Sequence, residues 1–496
     1  MKTSHLSGSE CDGGMSKIWA VWKALCIMVP VLGLVECAGT PKKQNPLPTQ
    51  GMESMMRSTF GATLKDPVGA SRVGALVMSD RVRTLVRGNV PVVGKMKMSE
   101  RASARAAAGA GAGGEAFEQM LDQKKFPART AGALQFYVDG RTFFPVYLEA
   151  VKGARKSVDV QTFIFDNDDF GVKVADVLRA KSLQVPVRVL YDGLGSKGAA
   201  TIQAKTQPKG FVPPKDMHAY LMSGSRMECR LTSNAYFLAD HSKLHIIDGH
   251  TAYMGGMNLG REYRYEWHDL MAKVEGPMVE ELKKLYERRW RSDCWWRKLQ
   301  RDHSRVEATT AGESQHTPQA GEMQQLRLLQ TDARRGVRDI FKATLLGIHS
   351  AKRRVWIETP YFSNDEVVDE LAAALKRGVD VRIVVPAEVD QKIMEKNNAE
   401  DLKKLIDAGA KVYAYPGMTH LKATVCDDWA TFGSANYDTL SQRVNVEMNL
   451  ATSDRRTVNA LVNRVFQPDF TRARRITPAM AKAKGGMWAE FVGDQL

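Results

Sequence analysis

The same order of strands and helices occurs twice along this chain, and the repetition constrains the fold more than any other sequence feature. In the first half, strand patterns over residues 157–165 and 185–191 flank a helical pattern. In the second half, strand patterns over residues 354–361 and 379–385 flank another helical pattern. Strands that alternate with helices predict a mostly parallel sheet covered by helices. The repeated unit is much longer than the repeat of a solenoid protein. We therefore predict an α/β fold made of two related halves.

Each half also carries a short segment in which the same polar residue types recur at the same spacing. The first segment contains His241, Lys243, Asp248, Gly256 and Asn258, and the second contains His420, Lys422, Asp427, Ser434 and Asn436. A lone His-x-Lys pair is weak evidence for function, because most histidines on strands are structural. Its recurrence at corresponding places of a duplicated chain favours a shared chemical role for the two segments.

The spacing of histidine and lysine predicts that their side chains share one direction. On a strand, His241 and Lys243 project from one face, and Ser242 projects from the other. Small residues at Gly256 and Ser434 allow the following turn to approach closely, and the asparagines add amide donors. Two such units face to face would surround one phosphodiester with two imidazoles, two ammonium groups and two amides.

This combination of groups suits phosphoryl transfer. Ammonium and amide donors stabilise the negative charge that builds on the non-bridging oxygens. One imidazole attacks phosphorus and forms a phosphohistidine, while the other protonates the departing alkoxide and later deprotonates an alcohol or water. Lysines supply the positive charge, so we predict no metal and no cofactor. The six cysteines show no metal-ligand spacing and no disulfide framework.

The paired segments resemble the HKD motifs of the phospholipase D superfamily, most of all those of bacterial cardiolipin synthases. The likeness extends over about residues 134–466 and includes the sequences at 241–263, 267–277 and 357–362. It implies a duplicated α-β-α sandwich of two pseudo-symmetric halves with the active site between them. It further implies a nucleophile, a general acid/base and a group of phosphate-binding residues. These are His241 as the nucleophile, His420 as the acid/base, and Lys243, Lys422, Asn258, Asn436, Gly256 and Ser434 at the phosphate.

The same resemblance implies a carboxylate, from a later strand, that holds each histidine. Asp269 follows His241 and Glu447 follows His420 at nearly equal spacing, so each carboxylate is assigned to the histidine of its own half. Such a contact fixes the tautomer and orientation of an imidazole. Asp248 is grouped with the catalytic motif, as is its counterpart Asp427, although structural support is the alternative role for both. Because the halves are nearly symmetric, the sequence leaves open which histidine attacks.

Composition divides the chain into five parts. Residues 1–39 are predicted to be a signal or membrane-anchor segment, and 40–130 a low-complexity tether without stable structure. Residues 131–300 and 326–496 are predicted to form the first and second phospholipase D-like domains. A polar linker over 301–325 joins them.

The N-terminal segment directs the protein to a bacterial cell membrane under each of three interpretations. Its apolar run from Ile18 to Val35 is preceded by Lys17, which suits an export signal or an uncleaved anchor. The sequence that ends at Cys37 resembles the lipobox of bacterial lipoproteins, except that Glu36 replaces the expected small residue. The side of the membrane stays open. A second candidate for membrane contact is the basic, tryptophan-containing stretch over 288–298, which also suits packing on the core.

The charge balance limits the partners without selecting one. A net charge of +15 and a pI near 9.4 favour phosphate-bearing partners, namely nucleic acid, anionic lipid or a substrate phosphate. The membrane-directed N-terminus favours phospholipid substrates and a membrane surface over nucleic acid. The leading hypothesis is a phosphatidyltransferase that makes cardiolipin from phosphatidylglycerol and releases glycerol. The alternatives are a phospholipase D that yields phosphatidic acid, a nuclease and a non-catalytic lipid-binding protein, with the oligomeric state open.

Overall fold

A single mixed sheet runs through both halves of the protein. The computed structural model describes residues 66, 68–75, 111–232, 238–292, 322–388 and 392–482. The predicted signal or anchor over 1–39 lies outside the described residues, and so does most of the predicted linker over 301–325.

The sheet contains the strands of both halves in one continuous order. Strands of the first half are β1 Thr130–Val138, β2 Val158–Thr162, β3 Val187–Asp192, β4 Glu228–Thr232, β5 Leu244–Ile247, β6 Thr251–Gly255 and β7 Leu270–Glu275. Strands of the second half are β8 Gln324–Asp332, β9 Val337–Arg338, β10 Arg354–Glu358, β11 Phe362–Ser363, β12 Asp380–Pro386, β13 Lys411–Tyr415, β14 Ala423–Cys426, β15 Trp429–Gly433, β16 Tyr437–Asp438, β17 Glu447–Thr452 and β18 Arg474–Ile476.

The two halves repeat one strand order on either side of a central antiparallel pair. The first half runs β1-β7-β6-β5-β2-β3-β4, and the second runs β8-β17-β15-β14-β10-β12-β13-β18. Strands β1 and β8 join them, with Thr130 opposite Leu326. Strand β9 pairs with β8, and β11 and β16 form a separate two-stranded sheet. The predicted duplication is therefore confirmed.

The sheet is less parallel than the sequence predicts. Only β2-β3-β4 and β10-β12-β13 are parallel groups among the described strands of the large sheet. The strands that follow the two histidine segments are antiparallel instead, as in β5-β6-β7. A tight turn joins β5 to β6, and such a connection permits only an antiparallel neighbour, whereas parallel strands need a crossover.

Helices cover both faces of the sheet. Helices of the first half are α1 Glu115–Gln123, α2 Gly140–Gly153, α3 Asp169–Ser182, α4 Gly193–Ala199, α5 Met217–Met222, α6 Arg261–Tyr265 and α7 Met278–Ser292. Those of the second half are α8 Asp339–Ser350, α9 Asp365–Lys376, α10 Lys392–Asp407, α11 Thr439–Arg443, α12 Arg455–Leu461, α13 Gln467–Arg472 and α14 Pro478–Lys482. A 3₁₀ turn occupies Ala333–Arg335, and a π-helical turn over Val462–Phe466 joins α12 to α13.

Three apolar cores fill the space between the sheet and these helices. On one face, α7 and the α12–α13 run cover a core that both halves share. On the other face, α2 and α3 cover the first half, and α8 and α9 cover the second. Equivalent caps start the equivalent helices: Asp168 accepts from the backbone N–H of Gly171 at α3, and Asn364 accepts from that of Val367 at α9. The α-β-α sandwich is therefore confirmed.

Part of the segment predicted to be an unstructured tether belongs to the folded core. Helix α1 buries Phe117 and Leu121 in the core of the second half. Its Glu118 accepts a hydrogen bond of 2.6 Å from the guanidinium of Arg327, and both side chains are buried. Residues 68–75 are also helical. The structure differs from the expectation here because the alanine- and glycine-rich run ends at Gly114, where a short amphipathic helix begins.

Within the described ranges, no helix combines the length and apolar character needed to cross a membrane.

Candidate active site

Each histidine segment is clamped by backbone hydrogen bonds to the opposite half. The backbone N–H of His241 donates to the carbonyl of Val446 at 2.9 Å, and that of His420 donates to the carbonyl of His268 at 2.7 Å. The histidines lie just before strands β5 and β14 rather than on them, which differs from the predicted strand position. Because Val446 and His268 immediately precede Glu447 and Asp269, this pairing brings each carboxylate to the histidine of the other half.

The carboxylates are exchanged between the halves, so their assignment by sequence spacing is wrong. Nδ1 of His241 lies 3.0 Å from a carboxylate oxygen of Glu447, and Nδ1 of His420 lies 2.7 Å from one of Asp269. All four side chains are buried, and the two imidazole ring centroids are 6.4 Å apart. With Nδ1 held by a carboxylate, Nε2 of each ring is the nitrogen left for a substrate.

Gly256 and Ser434 support the carboxylates rather than extend towards a phosphate. The Ser434 hydroxyl donates to the Glu447 carboxylate at 2.6 Å, and the Ser434 carbonyl lies 3.1 Å from Nδ1 of His241. At the equivalent position, a Cβ on Gly256 would lie 2.1 Å from a carboxylate oxygen of Asp269. Each position is in contact with the carboxylate of its own half, which favours a supporting role over the predicted contact with phosphate.

Asp248 and Asp427 each hold the loop that precedes a neighbouring strand. Both lie at the end of their sequence motifs, after the histidine and the lysine. The Asp248 carboxylate accepts from three consecutive backbone N–H groups over residues 155–157, before β2. The Asp427 carboxylate accepts from the equivalent groups over residues 352–354 and from Ala112. Both aspartates have a positive φ, at 54° and 49°, in the tight turns after β5 and β14. These contacts favour structural support, the alternative role, for both aspartates.

The two lysines are buried beside the histidines. The ammonium of Lys243 donates to the backbone carbonyl of His241 at 2.6 Å, and that of Lys422 donates to the carbonyl of His420. Burial lowers the pKa of Lys243 to about 7, with the nearby Glu447 opposing the shift and Lys422 adding to it. An anion in the cleft would favour the charged forms of these ammonium groups.

Both imidazoles are neutral near pH 7 in the substrate-free protein. Burial lowers the pKa of His241, and Glu447 opposes that shift only in part. Burial also lowers the pKa of His420 well below its usual value, and the charges of Lys422 and Lys243 act in the same direction. A neutral imidazole has the free lone pair that attack on phosphorus requires.

The two carboxylates differ in charge. Burial raises the pKa of Asp269 to about 7, although the Lys422 ammonium opposes that shift. Burial acts in the same direction on Glu447, but the contacts with His241 and Lys243 outweigh it and hold its pKa below the usual value. Near neutral pH, Glu447 is therefore ionised, while Asp269 lies close to its titration midpoint. The pseudo-symmetric site is electrostatically asymmetric.

The two asparagines are placed differently. The amide oxygen of Asn258 accepts from the backbone N–H of Ile164 at 3.0 Å and lies 3.3 Å from the Thr162 hydroxyl. Its buried amide nitrogen has no hydrogen-bond partner among the described residues. Asn436 is also buried, and its backbone carbonyl accepts from the side-chain amide of Gln442 at 2.5 Å. Asn258 thus presents a fixed, unused donor in the manner expected of a phosphate-binding amide.

Aromatic side chains line the site, and the sequence patterns do not reveal their role. The Phe163 ring lies 4.9 Å from the ring of His241. Tyr263 and Trp267 both lie 5.3 Å from the ring of His420. Trp267 lies two positions before Asp269 in the sequence. That short separation is the signal from which a position near the site could be predicted for its ring. These rings reduce the access of water to both imidazoles.

A second buried cluster lies beside the histidine pair. His268 contacts the carboxylates of Asp139 at 2.6 Å through Nδ1 and of Asp469 at 3.1 Å through Nε2, and its ring stacks on Tyr415. Among the described residues, His268, Glu358 and Asp469 form the one group with the spacing of metal ligands. As it stands, the cluster is a hydrogen-bonded ion pair. Contacts with Asp139 and Asp469 hold the pKa of His268 well above its usual value despite burial.

Comparison with known proteins agrees with this geometry. The family model described as cardiolipin synthase, PLD-like domain, matches residues 147–290 and 346–470. Cardiolipin synthase A of Pseudomonas putida (strain W619) is 30% identical over 371 residues, which cover 71% of this chain and 72% of that protein. Cardiolipin synthase A of Pseudomonas entomophila (strain L48) is 30% identical over 370 residues, which cover 71% of each chain.

A solved structure shares the fold. The phosphatidylserine synthase of Haemophilus influenzae Rd KW20 aligns with a TM-score of 0.54 and 16% identity, over 75% of this chain and 91% of that one. Fold and site together define a duplicated phospholipase D-like protein in which the histidines of the two repeated motifs meet between the halves. The chain belongs to the cardiolipin synthase family of phospholipase D-like domains, which confirms the resemblance seen in the sequence.

Proposed function

We propose that this protein is a phosphatidyltransferase that makes cardiolipin from two molecules of phosphatidylglycerol and releases glycerol. The observation that carries the proposal is the histidine pair, with ring centroids 6.4 Å apart and each Nδ1 on a carboxylate of the opposite half. The relatives named cardiolipin synthase A match more than two thirds of the chain and support this choice of substrate. Phospholipid substrates and a membrane surface are the partners, and no cofactor takes part in the proposed steps.

In the first step, Nε2 of His241 attacks the phosphorus of phosphatidylglycerol. The bond from phosphorus to the glycerol headgroup breaks, and the His420–Asp269 pair supplies a proton to the departing alkoxide. In the second step, a hydroxyl of another phosphatidylglycerol gives its proton to His420 and attacks phosphorus. The bond to His241 then breaks, and cardiolipin leaves. Lys243, Lys422 and Asn258 stabilise the charge on the non-bridging oxygens, and Asn436 is assigned the same role.

The charges of the two carboxylates support this order of the histidines. Glu447 is held ionised, so it stabilises the positive charge that His241 gains as a phosphohistidine. The Asp269–His420 pair can carry a proton near neutral pH, because burial raises the pKa of Asp269 to about 7. A pair that exchanges a proton close to the working pH suits the general acid and base.

The aromatic lining favours transfer to an alcohol over hydrolysis. Phe163, Tyr263 and Trp267 cover the imidazoles with apolar surface. Exclusion of water lengthens the life of the phosphohistidine until a lipid hydroxyl arrives. Hydrolysis to phosphatidic acid by the same residues is the alternative reaction.

Product analysis tests the proposal. The purified full chain is incubated with vesicles that contain phosphatidylglycerol labelled in its headgroup, and the lipids are analysed by mass spectrometry. We expect cardiolipin and an equal amount of labelled glycerol, both lost in His241→Ala. Phosphatidic acid as the main lipid product would show the hydrolase instead. A quench in alkaline denaturant, in which the phosphorus–nitrogen bond of phosphohistidine survives, followed by peptide mapping locates the trapped phosphoryl group. Label on His420 would reverse the proposed order.

A further inference from the structure

One surface segment beside the cleft has an unusual combination of charge and exposure. Residues 193–215, here called the rim segment, connect β3 to α5 and contain four lysines and no acidic residue. Lys197, Lys209 and Lys215 are exposed. A run with this charge repels cations and attracts anionic surfaces.

The rim segment also projects apolar side chains into solvent. Val212 and Ile202 are 83% and 66% exposed, the highest values among the large apolar residues of the described chain. Single exposed apolar residues are common, but here two of them lie in one lysine-bearing segment. Apolar side chains surrounded by lysines are the composition of protein surfaces that insert into the headgroup layer of an anionic membrane.

The base of the rim segment lies against the first histidine. The Phe163 ring packs so closely on Gly195 that a Cβ there would lie 2.4 Å from it. The same ring lies 4.9 Å from the ring of His241. In addition, the Ser196 hydroxyl accepts from the backbone N–H of Phe165 at 3.0 Å. The segment therefore starts at the wall of the catalytic cleft.

The middle of the rim segment lies against the residues that cover the second histidine. The backbone N–H and the hydroxyl of Thr206 both donate to the Glu266 carboxylate, at 2.8 and 2.6 Å. Glu266 directly precedes Trp267, whose ring contacts His420. Lys205 forms an ion pair of 2.5 Å with Glu388 of the second half. The segment is thus held by contacts on both sides of the cleft, while its apolar side chains Ile202 and Val212 remain exposed.

We propose that the rim segment is a membrane-docking surface that seats the mouth of the active cleft on an anionic bilayer. Ile202 and Val212 enter the interfacial layer, and Lys197, Lys209 and Lys215 contact lipid phosphates. This proposal rests on the proposed function only in that the substrate is a lipid. Single-stranded nucleic acid would match the lysines but would leave the aliphatic side chains Ile202 and Val212 without a role. Protein surfaces that bind single strands use aromatic rings, which stack on the bases.

The other candidate for membrane contact is the basic stretch over 288–298, and the structure describes it only as far as Ser292. Trp290, in the basic stretch singled out in the sequence, is buried and stacks on Tyr286. The Arg230 guanidinium covers its ring at 3.8 Å. This indole therefore belongs to the core, whereas the rim segment presents exposed apolar and basic side chains beside the cleft.

Hydrogen–deuterium exchange of the full chain provides a local test that does not depend on turnover. Vesicles of phosphatidylglycerol and phosphatidylcholine are compared with vesicles of phosphatidylcholine alone, using wild type and His241→Ala. We expect slower exchange of residues 197–215 on the anionic vesicles in both proteins. Unchanged exchange in vesicle-bound protein would overturn the proposal, as would protection by single-stranded DNA without protection by vesicles.

A substitution series separates docking from chemistry. We expect Ile202→Ser/Val212→Ser to lower turnover about tenfold on anionic vesicles, but to leave turnover of monomeric short-chain phosphatidylglycerol within about twofold of wild type. Leu183→Ser is the matched control, because Leu183 is 54% exposed at the far end of β3. Equal losses on both substrates, or no loss on vesicles, would overturn the proposal. Failure of the proposed function itself would appear as no turnover by wild type on either substrate, with the exchange result intact.

Charge substitutions test the lysines in the same assay. Lys209→Gln/Lys215→Gln is expected to weaken binding to anionic vesicles about tenfold and to reduce its dependence on salt. Lys173→Gln, at an exposed position on α3, is the control and should bind as wild type does. Unaltered salt dependence in the double variant would contradict the electrostatic part of the proposal.

Discussion

Glu447 lies 3.0 Å from the imidazole of His241, although the two residues come from opposite halves of the duplicated chain. Asp269 makes the reciprocal contact with His420. The exchange follows from the backbone pairing, because each histidine segment bonds to the residue that precedes the carboxylate of the other half. Each histidine–carboxylate pair is therefore assembled from both halves.

Removal of either carboxylate charge should slow catalysis without unfolding the protein. We expect Glu447→Gln and Asp269→Asn each to lower kcat by about 10²- to 10⁴-fold, because the imidazole loses the group that orients it and stabilises its charge. Glu370→Gln is a matched control, since the Glu370 carboxylate lies 2.9 Å from Nδ1 of His349. This second carboxylate–histidine contact is not part of the cleft. Wild-type turnover in Glu447→Gln would contradict the assigned role.

Loss of the motif aspartate should act on stability instead. Asp427→Ala leaves four backbone N–H groups without their acceptor, including those of Lys352 and Ala112. We expect the free energy of unfolding to fall by about 2–5 kcal/mol. Urea unfolding measures this change, and turnover per folded molecule should stay within about threefold of wild type. A large loss of kcat in a variant of unchanged stability would restore Asp427 to the catalytic group.

The buried lysine should produce a basic limb in the pH profile. The pKa of Lys243 is about 7 in the substrate-free protein, so its ammonium is lost as the pH rises through that value. We expect kcat/KM to fall above about pH 7, because the neutral amine no longer attracts the substrate phosphate. Lys243→Arg should move this limb upward at lower overall activity, since a guanidinium stays charged. An unchanged limb in that variant would assign the titration to another group.

The His268 cluster should stabilise the contact between the halves. Contacts with Asp139 and Asp469 raise the pKa of His268 well above its usual value, despite burial. The contribution of this ion pair to the free energy of unfolding is therefore fully present below the unfolded pKa of about 6.5. It is lost as the pH rises through the folded pKa. His268→Gln removes the positive partner of the buried Asp469 carboxylate and of the partly exposed Asp139 carboxylate, and should cost about 3–5 kcal/mol at pH 6. Urea titrations at pH 6 and pH 9 should show the deficit shrinking at the higher pH. A constant deficit would exclude a charged imidazole.

The duplication and the α/β class can be predicted from sequence periodicity, and the recurring motif identifies the two histidines that meet between the halves. It could not supply the pairing of carboxylate and histidine, because equal spacing in both halves, as in Asp269 and Glu447, is compatible with contacts inside a half or across them. Long-range backbone pairing decided between the two. Helix α1 could not be predicted for a related reason. Its apolar residues, such as Phe117, are too few to stand out beside a low-complexity run, and they are buried in the core of the second half, which is distant in sequence.

Gly256 and Ser434 show a further limit of pattern reading. Their small size correctly indicates a close approach, but it does not reveal what approaches. The approaching groups are the Asp269 and Glu447 carboxylates rather than a phosphate oxygen. Aromatic contacts such as that of Trp267 with His420 cannot be predicted either, because an aromatic residue next to a strand has the same sequence signature whether it faces a core or a cleft.

The central pairing of β1 with β8 makes the two halves interdependent in a way that a row of independent domains would not be. Local opening of either half withdraws a carboxylate from a histidine that is still folded. We therefore expect no partly active form with one half intact, and we expect a chain cut between Ser292 and Gln324 to keep its activity only while both fragments remain associated.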